Sequence, residues 1–464
     1  MGERGAFEGE FHGTWWVAGR PEDKVGGVLR LSPGEVGDLR LYGTFESVAT
    51  GEQVRILGTC VEHGAITLEN AVHEGRSFRQ PDYVYSTFRV AGALVGAHLN
   101  DPSAARFGSA IFQFASLGSW LRLPYPDSGF PDEGAGEAAR HSMALEPPSV
   151  LTAVVPGLGR VEVGAWPNAS WEQGRGELSL HPYVLIEFEK SQTLAEIWEC
   201  SLSPLMFFMS LATGSPEKLV SAHLVLEGDS REDQIRWLDW NWLAKRSDEV
   251  GGAMGNPFIS YADVERRFSD VLTRWFRLVA ETRSPIESYF AAQLPLVGFF
   301  DDVFSRVVGA METWHRTMHD WKPLPKEEFK RVIGSVKSVL TPAEWNVVAD
   351  RVSYANQPTL RERLNDLTGR AGSELEGAVM SLPDFTGRVV RSRNGLAHDS
   401  AIGENFNHVQ IPLALELLRL LFDAVLAREL GFSEVEVAEM IKRSRRFARL
   451  VGPDSALRGD ASRS

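Results

Sequence analysis

Three polar residues near the carboxyl end of the chain, Arg393, Asn394 and His398, have types and spacing suited to phosphate chemistry. They lie in the stretch RSRNGLAHD, residues 391–399. A guanidinium is a permanently charged planar fork that matches a phosphate, and an imidazole exchanges protons near neutral pH. Arg393 and His398 are five positions apart, somewhat more than one helical turn, so we expect both side chains to reach one small group. Together they form a minimal set for cleaving a phosphodiester without a metal ion.

A structural interpretation of the same stretch stays open. An Asn-Gly pair, present at 394–395, commonly forms a turn. If it forms a turn here, Arg393 pairs with an acidic neighbour and His398 caps a helix end. Two flanking residues are equally ambiguous. Arg391 is either a further phosphate contact or a solvated charge at a helix end, and Asp399 either orients His398 or caps the next segment.

A basic run near the carboxyl terminus is a second candidate for contact with nucleic acid. Its members are Lys442, Arg443, Arg445, Arg446 and Arg449. Such a run can follow a phosphate backbone, but basic residues in the last turns of a helix also complement the helix dipole. Both interpretations are kept.

The sequence predicts neither a metal site nor a cofactor. His315 and His319 are four apart on a predicted helix, but no Glu or Cys stands at ligand spacing. The neighbours Trp314, Arg316 and Trp321 indicate a surface near a domain contact instead. The motifs GxxxxGK[ST], GxSxG and HExxH are absent from the sequence, which argues against the commonest nucleotide hydrolases, α/β-hydrolases and zinc proteases.

The elements that position these residues differ in periodicity between the two halves of the chain. Residues 1–250 contain short, partly alternating apolar segments separated by glycine-bearing turns, which predict a β-rich sandwich or barrel-like domain that also holds helices after residue 192. Beyond it the apolar residues recur with a helical period. We predict a connecting helical segment over 251–284, a helical bundle over 285–450 and a disordered tail over 451–464. The fold class is therefore α+β.

The amino-acid composition limits the binding partners of the protein and the cellular compartment in which it works. The net charge of −14 falls wholly within residues 1–260, which hold 34 acidic and 20 basic residues, whereas residues 261–464 hold 28 of each. A nucleic acid is therefore expected to contact the neutral second half. Two cysteines, Cys60 and Cys200, are too few for a disulfide framework and fit a reducing cytoplasm. The apolar runs are shorter than, or more charged than, the ~20 residues of a spanning helix, so no membrane association is expected.

The pattern Arg393-Asn394-x-x-x-His398, on a predicted bundle and before a long apolar helix, resembles the R-x4-H signature of the HEPN ribonucleases. The resemblance implies a homodimer or larger homo-oligomer, in which one such set from each chain lines a composite cleft. It also implies that an RNA 2′-hydroxyl attacks the adjacent phosphate to give a 2′,3′-cyclic phosphate and a 5′-hydroxyl end. His398 would be the general acid or base, Arg393 would hold the phosphate, and Asn394 would orient either. Single-stranded RNA, with transfer RNA as one candidate, is the expected substrate.

The amino-terminal half carries a second resemblance. FHGTWW at 11–16, GVLRL at 27–31 and L-x-L-x-G at 39–43 are similar to the opening of the ApeA amino-terminal domain, found in bacterial anti-phage proteins that end in a HEPN domain. This similarity implies a β-rich domain that senses a phage-derived trigger and controls a toxic ribonuclease in abortive infection.

Two other functions remain as alternatives. HEPN-like bundles also serve as non-catalytic binding or dimerisation modules, so the chain could be a sensor or adaptor. Metal-independent, His398-dependent cleavage of single-stranded RNA would separate this alternative from the enzyme. The tryptophan-bearing β-domain could also bind carbohydrate, although no spaced pair of carboxylates predicts a glycosidase.

Overall fold

The structure is a computed structural model, and it describes most of the chain. The described residues are 9–32, 35–61, 63–79, 83–124, 127–129, 142–172, 175–230, 233–239, 256–293, 300–319, 321–353, 355–398, 406–444, 447, 450 and 457. Of residues 396–398 it describes the backbone alone. The chain divides into two units, residues 1–273 and 274–464, and this division falls inside the predicted connecting segment 251–284. Apart from Leu457, the predicted tail lies outside the described residues.

The first unit is built mainly from antiparallel strands. The strands are β1 (Gly9–Val17), β2 (Val25–Leu31), β3 (Gly37–Leu41), β4 (Gln53–Cys60), β5 (Gly64–Arg79), β6 (Tyr83–Val95), β7 (Phe107–Phe114), β8 (Asp127–Gly129), β9 (Ser142–Ala144), β10 (Leu151–Val155), β11 (Gly159–Glu172), β12 (Arg175–Gln192), β13 (Leu219–Leu226) and β14 (Ile235–Asp239). β8 and β9 pair only with each other among the described strands, and the other strands form one sheet.

Six strands of that sheet close into a barrel. Neighbours pair in the order β6-β3-β2-β1-β4-β5, and β5 pairs back with β6. Because side chains alternate across a strand, every second residue points inward, and Trp15, Leu29, Leu39 and Phe88 are among the fully buried residues of the interior. Gly58 on β4 lies against the Trp15 ring, where a Cβ would overlap the indole. The predicted barrel-like architecture is therefore confirmed.

The barrel strand β6 also joins the rest of the sheet. Its residues 86–90 pair with β3, and residues 92–95 pair with β14 on the same side. The sheet then continues in the order β14-β13-β7-β12-β11-β10. The helices of this unit are α1 (Leu117–Trp120), α2 (Leu194–Ile197), a π-helical turn (Trp198–Leu202), α3 (Ser203–Thr213) and α4 (Tyr261–Val264).

The second unit is helical. Its helices are α5 (Phe268–Glu281), which begins in the first unit, α6 (Arg283–Ala291), α7 (Phe300–Met318), α8 (Lys326–Val339), α9 (Pro342–Ser353), α10 (Leu360–Ala371), α11 (Ser373–Met380), α12 (Phe385–His398), α13 (Gln410–Glu429) and α14 (Glu434–Arg443). α13 is buried on most of its surface and packs against α7, α10 and α14, as a helix that is apolar all round must be. None of the described helices has the length and apolar content to cross a bilayer.

Local sequence signals mark several helix ends. Thr341 and Glu344 form a capping box at the start of α9. Gly431, with φ of 91°, follows α13, and Ser433 caps α14. In contrast, α8 has no buried residue, and the hairpin of α8 and α9 lies at the periphery of the unit.

Candidate active site

The RSRNGLAH stretch lies within helix α12, and the Asn-Gly pair at 394–395 is helical and does not form a turn. Apolar residues on one face, including Phe385 and Val389, are buried and fix the helix against the bundle. Asp384, just before the helix, accepts hydrogen bonds from the guanidinium groups of Arg361 and Arg391. The stretch is therefore held on a regular, packed element.

The Arg393 guanidinium is accessible. Its side chain is 40% exposed, and its Nη1 donates to Asn394 Oδ1 at 3.3 Å. Its Nη2 lies 4.0 Å from Glu312 Oε2 on α7, which is the outer limit of an ion pair. A partly exposed pair at this long distance contributes at most ~1 kcal/mol, so an anion of higher charge can compete with Glu312 for Arg393.

Helix geometry relates the three candidate residues by position. Asn394 and His398 are four residues apart and lie on the same face of α12, whereas Arg393 is rotated by ~100° from Asn394. The structure brings Arg393 and Asn394 into contact. The side chain of His398 lies outside the described atoms, so its meeting with Arg393 stays a prediction.

The segment that follows the candidate site is tied back onto α12. The Ser392 hydroxyl accepts a hydrogen bond from the Phe406 backbone N–H at 2.9 Å. Arg388 donates to Gln410 Oε1 at 2.6 Å and stacks on the Phe406 ring, 4.3 Å from its centroid. Burial, together with the nearby charge of Arg391, lowers the pKa of Arg388. These contacts fix both the helix and the start of the next one, and sequence spacing gave no signal for them.

The flanking candidates have partners of their own where they are described. Arg391 Nη1 lies 2.9 Å from Asp384, so it is an ion-paired residue and not a purely solvated charge. Lys442 and Arg443 lie in the last turn of α14, where Lys442 is 3.4 Å from Glu439. Asp399 and the basic residues Arg445, Arg446 and Arg449 lie outside the described residues. The roles of all these residues in RNA contact stay predictions.

His315 is not at a surface, contrary to the expectation from its neighbours; its side chain is fully buried in the helical unit. Its Nδ1 lies 3.0 Å from Arg363 Nη1 and its Nε2 3.0 Å from Asp366 Oδ2. Because a guanidinium can only donate, Nδ1 accepts and the ring proton on Nε2 is donated to Asp366. Burial lowers the pKa of His315, which fits the neutral ring. Among the described residues, no three potential ligands converge to hold a metal ion.

The two units together define a class of protein in which a β-barrel domain precedes a helical bundle with an R-x4-H helix. Residues 10–275 match the family model of ApeA N-terminal domain 1, and residues 306–436 match that of the Apea-like HEPN domain. The first match covers more than half of the chain, so the chain belongs to the ApeA family, with an ApeA amino-terminal domain and a HEPN domain. This architecture supports its assignment to the anti-phage HEPN proteins.

The HEPN match covers most of α7, all of α8 to α13 and the start of α14, and therefore includes the whole of α12. Both resemblances found in the sequence and the α+β fold class are confirmed. No curated protein and no solved structure matches the chain significantly.

Proposed function

We propose that this protein is an endoribonuclease of bacterial anti-phage defence, in which the HEPN domain cleaves RNA without a metal ion under the control of the ApeA domain. One observation carries the proposal most directly. Within the HEPN domain, helix α12 presents an accessible Arg393 in contact with Asn394, and Asn394 lies one turn before His398.

The proposed reaction is an internal transesterification. The 2′-oxygen of a ribose attacks the adjacent phosphorus, and the bond from phosphorus to the 5′-oxygen of the next nucleotide breaks. The 2′-hydroxyl loses a proton and the leaving 5′-oxygen gains one, and His398 handles one of these two transfers. Arg393 binds the phosphate oxygens and stabilises the negative charge that develops on them, while Asn394 holds the guanidinium in place. DNA lacks the attacking hydroxyl and is inert.

The proposal also covers the oligomeric state, the cellular compartment and the trigger of the protein. The smallest active unit is a homodimer in which each chain contributes Arg393, Asn394 and His398 to one cleft. The protein acts in the cytoplasm on single-stranded RNA, with transfer RNA as a candidate, and a phage-derived trigger acts on the ApeA domain to release the nuclease. The resulting loss of RNA stops growth of the infected cell.

A non-catalytic HEPN module is the second candidate function, and two contacts of Arg393 favour it. Arg393 lies near Glu312 and hydrogen-bonds to its own neighbour Asn394, as a purely structural arginine would. In that case α12 is a rigid element of a binding or dimerisation surface and the chain works as a sensor or adaptor.

Induced expression in bacteria, with and without phage, tests the proposal. The wild type is compared with His398→Ala and with His408→Ala, which replaces an exposed histidine before α13 and serves as the matched control. Growth, phage yield and total RNA integrity are followed. The ribonuclease proposal expects the wild type and His408→Ala to block phage or growth with fragmented RNA, and His398→Ala to do neither. Intact RNA with all three proteins would favour the binding module, and fragmented RNA with His398→Ala would contradict the role of His398.

A further inference from the structure

A small basic pocket lies beside the candidate site, between the end of α7 and the start of α10. Its volume is 210 Å³, and it is lined by Arg316, His319, Trp321, Lys322, Gln357, Pro358 and Arg363; we refer to it as the α7–α10 pocket. Three of these side chains carry a permanent positive charge. No acidic residue is among the described residues that line it, so the lining favours an anion.

The most deeply buried cation of the pocket is Arg363, whose side chain is held in a fixed position. The residue is 3% exposed, and its Nη1 donates to His315 Nδ1 at 3.0 Å. His315 in turn donates to Asp366, which also accepts from Arg370 at 2.6 Å. This chain of hydrogen bonds orients the guanidinium before any ligand arrives, which lowers the entropy that binding would lose.

His319 adds a buried polar atom to the pocket lining. Its Nε2 is buried and makes no hydrogen bond within the part of the chain that the structure describes. Burial, followed by the charge of Arg370, lowers the pKa of His319 to about 4, so the ring is neutral at physiological pH. A buried polar atom without a partner is unfavourable, and an oxygen of a ligand in the pocket would satisfy a ring N–H once the ring turns that N–H toward the pocket.

Trp321 supplies an aromatic surface on the same pocket. The residue is 37% exposed, so part of the indole is open to solvent. A flat, exposed aromatic ring next to positive charges is the arrangement by which proteins bind single-stranded nucleic acids, since bases stack on the ring while phosphates contact the cations. A phosphate ion alone has no base that could stack on this ring.

The size of the pocket bears on what form the ligand takes. Pockets that enclose whole small molecules begin at ~300 Å³, and 210 Å³ is smaller. A phosphate with its sugar fits inside, and the base and the continuing chain must project outward. This favours a nucleotide within a strand over a free mononucleotide.

A single carboxylate links the pocket to the candidate active site. Arg316, which lines the pocket, donates to Glu312 Oε1 at 2.9 Å, and Glu312 Oε2 lies 4.0 Å from Arg393 Nη2. We infer that the α7–α10 pocket binds one nucleotide of the single-stranded RNA substrate near the cleaved bond, with its phosphate on Arg316, Lys322 and Arg363 and its base on Trp321. This inference rests on the proposed function.

Binding to a strand that cannot be cleaved tests the pocket separately from catalysis. The probe is a fluorescent 2′-O-methyl oligoribonucleotide, which lacks the attacking hydroxyl, and the protein is the full chain. The pocket variants are Trp321→Ala and Lys322→Ala. The control variants are Trp345→Ala and Lys337→Ala on the peripheral α8–α9 hairpin, where Lys337 Nζ lies 5.4 Å from the centroid of the Trp345 ring. We expect the pocket variants to weaken binding about tenfold and the hairpin variants to change it little. Lys322→Ala should also reduce the slope of the binding constant against salt concentration, on logarithmic scales, by the amount of about one phosphate contact.

Two further arms separate the possible outcomes. Tight binding of 5′-AMP that depends on Trp321, with unchanged oligonucleotide binding, would overturn the RNA assignment in favour of a free nucleotide. Unchanged binding of both probes in the pocket variants would overturn the pocket itself. If the pocket variants weaken oligonucleotide binding but the wild type cleaves no RNA, the pocket stands and the proposed nuclease falls.

Discussion

The carboxylate of Glu312 on α7 lies 4.0 Å from the guanidinium of Arg393 on α12. The same carboxylate accepts a hydrogen bond from Arg316 one turn further along α7. Glu312 thus partly neutralises two cations. Arg393 contacts the RNA backbone in the proposed function, and Arg316 does so in the inference about the α7–α10 pocket. An RNA phosphate must compete with it for both.

Replacing Glu312 by glutamine should therefore strengthen RNA binding. Glu312→Gln keeps the shape of the side chain and removes its charge, so phosphate no longer competes with a carboxylate for Arg393 and Arg316. The gain is at most about fivefold in kcat/KM on single-stranded RNA, because ion pairs that solvent still reaches contribute up to ~1 kcal/mol. A loss of tenfold or more would instead assign Glu312 a direct part in the site. Glu327→Gln on α8, which removes an exposed pair with Lys330, is the matched control.

Removing the Ser392 hydroxyl should destabilise the helical unit. Ser392→Ala leaves the buried Phe406 N–H without its acceptor, at a cost of ~1–3 kcal/mol in the free energy of unfolding. Urea titration followed by circular dichroism measures it. Ser335→Ala on the exposed helix α8 is the control and should stay within ~0.5 kcal/mol of the wild type. Equal stability of the two variants would contradict the anchoring role of Ser392.

Acid should weaken the fold in part through His319. Because its pKa falls from 6.5 to about 4 on folding, the unfolded chain binds more protons between these values, and stability is lost as the pH drops through this window. His319→Gln removes this titration. We expect the wild type to lose more unfolding free energy than His319→Gln between pH 7 and pH 5, because the variant lacks the group whose pKa falls on folding. Parallel pH dependence of the two proteins would show that His319 titrates normally.

Local signals in the sequence predicted much of the fold. The change from a period of two to a helical period separates the barrel from the bundle, and the capping residues Thr341 and Ser433 mark helix starts, because these signals act within a few residues. The contacts around the site were not predictable in this way. Glu312 and Arg393 are 81 residues apart, and nothing in local spacing pairs them.

His315 shows the same limit at a single position. Its neighbours Trp314 and Arg316 indicated a surface, but one residue of a helix differs from the next by ~100° in direction. His315 therefore faces the interior and bonds to Arg363 and Asp366, while Arg316 faces solvent. The α7–α10 pocket exists only because the tertiary fold brings the end of α7, with Trp321 and Lys322, beside the start of α10.

The central claim is that this HEPN domain cuts RNA by attack of the 2′-hydroxyl, with Arg393 and His398 in the site. The most direct test incubates the purified full-length protein, with its trigger where one is required, with single-stranded RNA in excess EDTA and identifies the product ends. The account predicts 2′,3′-cyclic phosphate and 5′-hydroxyl ends from the wild type and from His408→Ala, no cleavage of the matching DNA, and at least ~100-fold slower cleavage by Arg393→Ala and by His398→Ala. Cleavage that needs a metal ion, that leaves 5′-phosphate ends, or that persists in both variants would contradict it.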